Sequence, residues 1–276
     1  MFIVEFLNDM ISFNNIGNLG RLANQMFQYA SLKGIAKNRG FDYCIPPKDA
    51  FGALDTLVRR SDTNLYECFD IQCERYGITQ YKNREESTFS FDEDLFNNCD
   101  DETNINGYFQ TEKYFKNIET EIRKEFIFKD EIYTPTKEKF DEFFPGTKVI
   151  SLHIRRGDYV TNPNHPVQPL EYYQKALSLL DENVPVLILS DDPKWCNNQK
   201  MFEDDRFFVS DLGNSNVDLC LMTMCNYHII ANSSFSWWGS WLAKSEKTIA
   251  PKLWFGDRLS REKDTKDIYL EDWIVI

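Results

Sequence analysis

The residues best equipped for chemistry are His153, Arg155, Arg156 and Asp158, in the run VISLHIRRGDY from Val149 to Tyr159. Val149, Ile150, Leu152 and Ile154 give the run a strand-like, apolar first half. A buried parallel strand with polar groups at its carboxyl end is where open α/β sheets place ligands. Adjacent arginines there call for an anion, because the guanidinium is a permanently charged fork that matches phosphate in two places. Gly157 lets the backbone turn sharply or lets a ligand come close. The same residues also suit an ordinary strand end with solvated charges, so the rest of the chain must decide.

Other polar clusters fall at expected strand ends. One is Ser190-Asp191-Asp192, followed by Pro193. Another is Asn232-Ser233-Ser234, directly before Phe235-Ser236-Trp237-Trp238-Gly239. A helix N-terminus preceded by serines offers free N–H groups, a favourable dipole and hydroxyls to an anion. Each cluster is equally a plain helix cap. Their coincidence on one rim with the arginines favours a ligand. Asp218, on the helix before the strand that ends in Asn232, is either a solvated acid or an acceptor for a donor pair such as the N1–H and N2–H2 of guanine. The acidic pair in FDEDLF, Asp92 and Asp94, lies in a polar stretch and reads as a solvated loop rather than a metal motif.

These clusters need a frame, and the alternation of strands and helices supplies one. Strands are expected at 2–7 and 11–14, then a turn through Gly17 and Gly20, a helix over 20–40 stopped by Gly40, and a strand at 41–45. Gly17, Gly20 and Ala23 imitate a dinucleotide fingerprint too loosely to imply a nicotinamide cofactor. Residues 48–135 are polar and aromatic and read as loops with short helices, with Lys113 to Lys129 helical. Pro145-Gly146 marks a domain boundary, giving an N-terminal domain of 1–146 and a C-terminal domain of 147–276. Beyond it the rhythm is regular. Strands are expected at 148–154, 184–190, 206–210, 227–232 and 247–251, with helices at 169–182, from Asp192-Pro193, at 215–225 and at 234–244. That alternation predicts a parallel, Rossmann-like sheet.

Composition narrows the function classes. The 276 residues are enough for two domains, and 42% of them are hydrophobic, as in a globular protein. A net charge of -13 excludes a general nucleic-acid binder, which would need a basic field. Seven cysteines without a C-x-x-C pair point to a reduced, cytosolic compartment. The three histidines, His153, His165 and His228, lack zinc-ligand spacing with the cysteines, so no zinc site is expected. No run is long and apolar enough to span a bilayer, so the chain reads as cytoplasmic or at most peripheral to a membrane.

HIRRGDY at 153–159, GRLANQMFQYA at 20–30 and SSFSWWGSWLA at 233–243 together resemble the α-1,2-fucosyltransferases, inverting enzymes that use GDP-fucose. The resemblance implies a GT-B architecture, two Rossmann-like domains facing each other across a cleft, with no cofactor and no metal. It implies His153 on the guanosine side, Arg155 on the β-phosphate, Ser234 with its neighbours Ser233 and Phe235 at the phosphates, and Asp218 at guanine. Asp191 and Asp192 would line the same donor site. Where the family has a glycine before Asn24, this chain has Ala23, which is strained at positive φ and harmless in a helix.

The expected reaction is transfer of fucose to the 2-hydroxyl of a terminal β-galactoside in a glycan. Arg155 would stabilise the leaving GDP. Arg156 is either a second donor contact or a brace paired with a carboxylate, because neighbouring side chains on an extended segment diverge. Asp158 is either the general base or a partner for Arg21, Arg156 or a backbone turn. Arg21, Asn24 and Gln25 are candidate acceptor groups, and the two amides could equally cap the first helix. Two alternatives stay open: a transferase for another GDP-sugar or linkage, and a non-catalytic nucleotide- or sugar-binding protein.

Overall fold

A computed structural model describes residues 9–48, 65–71 and 82–276. The strand expected at 2–7, and Cys73, lie outside them. The chain divides into two compact units, Met1–Ile127 with Lys266–Ile268, and Phe128–Thr265 with Tyr269–Ile276.

The first unit is built on a parallel sheet. Its described elements are β1 (Met10–Ser12), α1 (Leu22–Arg39), β2 (Asp42–Cys44), α2 (Leu65–Cys68), β3 (Lys82–Glu85), α3 (Glu93–Asn98), β4 (Thr103–Asn106) and α4 (Glu119–Glu125). The strands lie in the order β2-β1-β4-β3. α1 matches the expected helix. It stops at Gly40, whose φ of 74° suits the left-handed cap and whose N–H bonds the Ala36 and Lys37 carbonyls. Most of α1 is buried, because β1, β2, α3 and the 3-10 turns Glu112–Tyr114 and Lys116–Ile118 all pack on it. The helix expected from Lys113 to Lys129 is broken into those two turns and α4. Thr111 caps the first turn by accepting from the Lys113 N–H.

FDEDLF opens α3 rather than forming a loop, with Asp94 exposed as expected and Asp92 not. Asp92 is buried and caps α3, accepting from Leu95 N at 2.9 Å and from Ser87 N at 3.1 Å. Against the cost of burial, the Ser87 hydroxyl and those two amides, with Arg84, hold its carboxyl below the usual aspartate range.

The second unit contains α5 (Asp130–Phe143), β5 (Ile150–Ile154), α6 (Leu170–Leu177), β6 (Val186–Ser190), α7 (Pro193–Asn197), β7 (Phe207–Val209), α8 (Ser215–Met224), β8 (Tyr227–Ile229), α9 (Ser234–Ala243), β9 (Lys247–Ala250), α10 (Asp257–Glu262) and β10 (Ile274–Val275). The division between units comes before α5 rather than at Pro145-Gly146. α5 packs on α8, and Phe144 at its end meets Phe208 of β7 edge to face at 5.0 Å. Its apolar side is therefore buried with the second unit, although its polar composition hides this in the sequence.

The second sheet is parallel throughout, with strand order β7-β6-β5-β8-β9-β10. The chain starts in the centre at β5, builds outward to β7, crosses back beside β5 as β8, and builds outward the other way. That order is doubly wound, and the crevice at its reversal lies past the carboxyl ends of β5 and β8. Every residue of β5 is buried, as both faces of a central parallel strand require. Ile150, Leu152 and Ile154 pack with Val186, Ile188, Ile229, Ile249 and the α6 tyrosines. The two-unit, parallel α/β organisation is the one expected from the alternation of elements.

Candidate functional site

The crevice past β5 and β8 gathers most of the residues singled out by type and spacing. β5 delivers His153 and Arg155. His153 is buried, and its Nδ1 lies 2.9 Å from Ser236 Oγ of α9, so a hydrogen bond ties the two sides of the crevice together. The ring also meets Phe235 at 5.5 Å between centroids. Burial and the Arg155 charge push the imidazole down to about 3, so it is neutral and acts by hydrogen bonding rather than as a cation.

Arg155 and Arg156 diverge. Arg155 Nη2 pairs with Asp158, Nη1 lies 2.9 Å from Asp191 Oδ2, and the guanidinium sits 5.2 Å from the Tyr159 ring. Arg156 Nε pairs with Asp192 Oδ2 at 3.1 Å, and its guanidinium stacks on Trp195 at 3.9 Å. Asp192 also caps α7 by accepting from Trp195 N at 3.1 Å, so one carboxylate fixes both the helix and the arginine. The structure therefore gives Arg156 a carboxylate and an aromatic face within its own unit. Asp158 finds its partner in Arg155 rather than in Arg156.

Asp191 and Asp192 are engaged by these arginines instead of standing open along the rim. Asp191 Oδ1 accepts the Arg156 N–H at 2.8 Å. Gly157 is needed here for space. A Cβ on it would lie 2.3 Å from Asp191 Oδ2, and its φ is not in the left-handed range.

β8 leads through Asn232 to α9. Ser233 caps that helix by accepting from Phe235 N at 3.3 Å, and Ser234 is its first residue. Asn232 is buried and donates to the Pro166 and Trp254 carbonyls at 3.1 and 2.9 Å, while its own carbonyl accepts from Tyr159. Trp237 and Trp238 are fully buried, Gly239 sits against Met222 of α8, and Ser240 bonds Thr248 of β9. SSFSWWGS thus anchors a helix whose N-terminus opens on the crevice. Asp218, on α8, is half-buried. Burial raises its carboxyl from the ordinary 3.8 to about 6, against the opposing hydrogen bond from Ser210 Oγ at 3.0 Å.

Arg21, Asn24 and Gln25 lie in the first unit at the start of α1. Arg21 is the exposed N-cap residue, and its own side chain makes no capping hydrogen bond. Asn24 Oδ1 accepts from Gln110 Nε2 at 2.8 Å. Gln25 is fully buried and is not presented on a rim. Ala23 is helical, so the alanine at that position carries no strain. Among the described residues, no group of three or more His, Cys, Asp or Glu is placed to hold a metal ion, and no helix is long and apolar enough to cross a membrane. The described cysteines are buried.

Sequence reading did not single out Trp195, Tyr159, Ser236 or Ser210 as partners. Ser236 carries the one usable signal: it lies three residues past the cap Ser233, on the helix's first turn, where it can face back toward β5. Trp195 and Ser210 are brought in by packing between strands, which spacing does not encode.

Residues 3–276 match the model of glycosyl transferase family 11. The chain belongs to that family. The resemblance carried by the three motifs therefore holds at the level of the family. Two Escherichia coli relatives are the O-antigen biosynthesis glycosyltransferase WbnK, 39% identical over 44% of this chain, and an α-1,2-colitosyltransferase, 37% identical over 62%. The match spans 43% of the first relative's own length and 61% of the second's. The galactoside 2-α-L-fucosyltransferase SEC1 of Bos taurus is 24% identical over 93% of this chain and 72% of its own length. Among solved structures, the α-1,6-fucosyltransferase NodZ soaked with GDP-fucose aligns with a TM-score of 0.57 at 14% identity, covering 89% of this chain and 96% of that one. That likeness is one of fold.

Proposed function

We propose that this family 11 chain is an inverting, metal-independent transferase that moves L-fucose from GDP-β-L-fucose to the 2-hydroxyl of a terminal β-galactoside. The observation that carries the reading is one crevice with Arg155 on one side, the N-terminus of α9 at Ser233 and Ser234 on the other, and the half-buried Asp218 in the same unit. A guanidinium and a helix N-terminus suit a pyrophosphate, and an isolated carboxylate suits the adjacent N–H donors of guanine. The α-1,2 linkage in the names of the relatives supports the choice of hydroxyl.

In the proposed displacement the acceptor oxygen attacks the anomeric carbon from the face opposite GDP. The bond from that carbon to the β-phosphate oxygen breaks, and the acceptor proton passes to a base. Negative charge builds on the departing phosphate, where Arg155 and the free N–H groups of α9 stabilise it. To do so Arg155 exchanges at least one of its carboxylate partners for phosphate. Asp158, the more exposed partner, is the one to be released, and it serves as the proposed base by turning its freed carboxylate to the acceptor hydroxyl on the face opposite GDP. His153 is assigned a neutral hydrogen bond on the guanosine side. Arg21 and Asn24 are proposed acceptor ligands. Gln25, being fully buried, is assigned to the packing of α1.

A second reading has colitose as the sugar moved, favoured by the 37% identity with the colitosyltransferase. Purified protein incubated with each GDP-sugar and galactose-terminated acceptors, with and without EDTA, followed by linkage analysis of the product, decides between them. A fucosyl-α-1,2-galactose product formed in EDTA is expected. GDP binding without transfer to any acceptor would replace the enzyme reading with that of a binding protein.

A further inference from the structure

We propose that Asp191 is the positioning residue that aims Arg155 at the donor pyrophosphate, and is not itself a donor ligand. The inference rests on the reading of Arg155 as a phosphate ligand.

Asp191 uses its two oxygens differently. Oδ1 accepts the backbone N–H of Arg156 at 2.8 Å, and Oδ2 pairs with Arg155 Nη1 at 2.9 Å. A single carboxylate thereby fixes the turn that follows β5 and the guanidinium that projects from it. Asp191 is itself held, because it follows directly on β6, which pairs with β5 in register up to Ile154 and Ser190. The next amide, Asp192 N, is tied to Ser190 Oγ at 3.0 Å. The carboxylate therefore stands at the end of a strand whose position relative to Arg155 is set by the sheet.

The other acid on Arg155 differs in kind. The Asp158 side chain is 58% exposed and lies on the 3-10 turn Gly157–Thr161, whereas that of Asp191 is 26% exposed. An exposed pair of this sort holds direction weakly. Gly157 adds an independent indication, since any side chain there would strike Asp191 Oδ2. A carboxylate meeting phosphate oxygens directly would repel them. One that orients a guanidinium through a single nitrogen, as Asp191 does at Nη1, leaves the other donors of the fork for the donor.

The test compares GDP with GMP, because a guanidinium on the β-phosphate shows itself as a preference for GDP. Binding of both nucleotides is measured on the full chain for Arg155→Ala, Asp191→Ala, Asp191→Asn and the Arg155→Ala/Asp191→Ala double variant. Asp191→Ala is expected to lower the GDP-over-GMP preference about tenfold, leaving GMP within about twofold, the scale of one charge-assisted contact. Asp191→Asn, which keeps the acceptor for Arg156 N–H, recovers part of that loss and guards against misfolding of the alanine variant. In the Arg155→Ala background, Asp191→Ala should add less than about twofold. Equal losses for GDP and GMP, or a full further loss in the Arg155→Ala background, would overturn the positioning role. An unchanged preference in Arg155→Ala alone would instead overturn the assignment of Arg155 to the phosphate, and this proposal with it.

Discussion

Asp218 is the residue whose physical state most directly constrains donor binding. Its carboxyl titrates near 6 because burial penalises the charged form. Guanine presents two N–H donors and needs the carboxylate, so donor binding must be accompanied by loss of that proton below the titration. GDP affinity is expected to be flat above about pH 6 and to weaken by up to about tenfold per unit below it. Asp218→Asn should bind GDP weakly at every pH and flatten the profile; calorimetric titration across pH checks both. Stability runs the other way. A carboxyl whose folded value exceeds its unfolded value stabilises the protein when protonated. That contribution is present below the ordinary 3.8 and is lost as pH rises to about 6. Asp218→Asn is therefore expected to raise Tm by about 2–4 °C relative to the unaltered protein near pH 8, and by nothing near pH 4. A residue that lowers the stability of the ligand-free protein in order to meet a ligand is the sort of exchange that binding sites make. His153 is the complementary case. Held near 3, it stays neutral across the working range, so no part of the donor profile near neutral pH is expected to come from it.

At the scale of elements, two helix starts do the positioning, and their sequences differ in how openly they declare it. α9 begins with a serine cap, directs Ser236 to His153 and buries its tryptophans, so its motif states both its limits and its inner face. α1 begins at Arg21, whose side chain makes no capping bond, and depends on Gly20 before it. Gly20 has a φ of 87°, and a Cβ there would fall 2.1 Å from Asn24 Nδ2. Gly20→Ala is expected to lower stability by about 1–3 kcal/mol, read by urea unfolding, because both the backbone and the Asn24–Gln110 contact must shift. The alternation of apolar runs made five of the six strands of the second sheet legible, β5 to β9, but not the two-residue edge strand β10. What stayed hidden has definite causes. The break between Lys113 and Lys129 follows from 3-10 turns that fit under α1, a tertiary demand with no local signature. α5 was assigned to the wrong unit because a proline-glycine pair is a strong local mark, whereas Phe144 meeting Phe208 is a contact between distant positions. In the site, residue types and strand ends identified the arginines, but not which carboxylate holds which, since that depends on where β6 stops beside β5.

At the scale of the molecule, the C-terminal part of the chain returns briefly to the first unit at Lys266–Ile268. There Asp267 accepts from Phe91 N at 2.9 Å and from Lys113 Nζ at 2.6 Å. The lysine is half exposed and contributes little, so the amide bond carries most of the effect. Asp267→Ala should cost about 1–3 kcal/mol in denaturant unfolding while leaving GDP affinity unchanged, since the proposed donor groups belong to the other unit. The charge of the whole chain leads to a different kind of expectation. It is -13, and three carboxylates already face two guanidiniums at the crevice. A dianionic nucleotide therefore approaches against a repulsive long-range field and meets attraction only within contact distance of Arg155. Salt screens the long-range part first, with a Debye length of about 10 Å at 0.1 M. The association rate of a fluorescent GDP analogue is expected to rise about threefold as salt increases from about 10 to 150 mM, opposite to the usual behaviour of a steered anion. The dissociation rate should rise over the same range, as screening weakens the contacts with the guanidinium and the helix N-terminus. Stopped-flow mixing at several salt concentrations separates the two rates. An association rate that falls with salt would mean that the arginines, despite their carboxylate partners, set the field seen by an approaching donor.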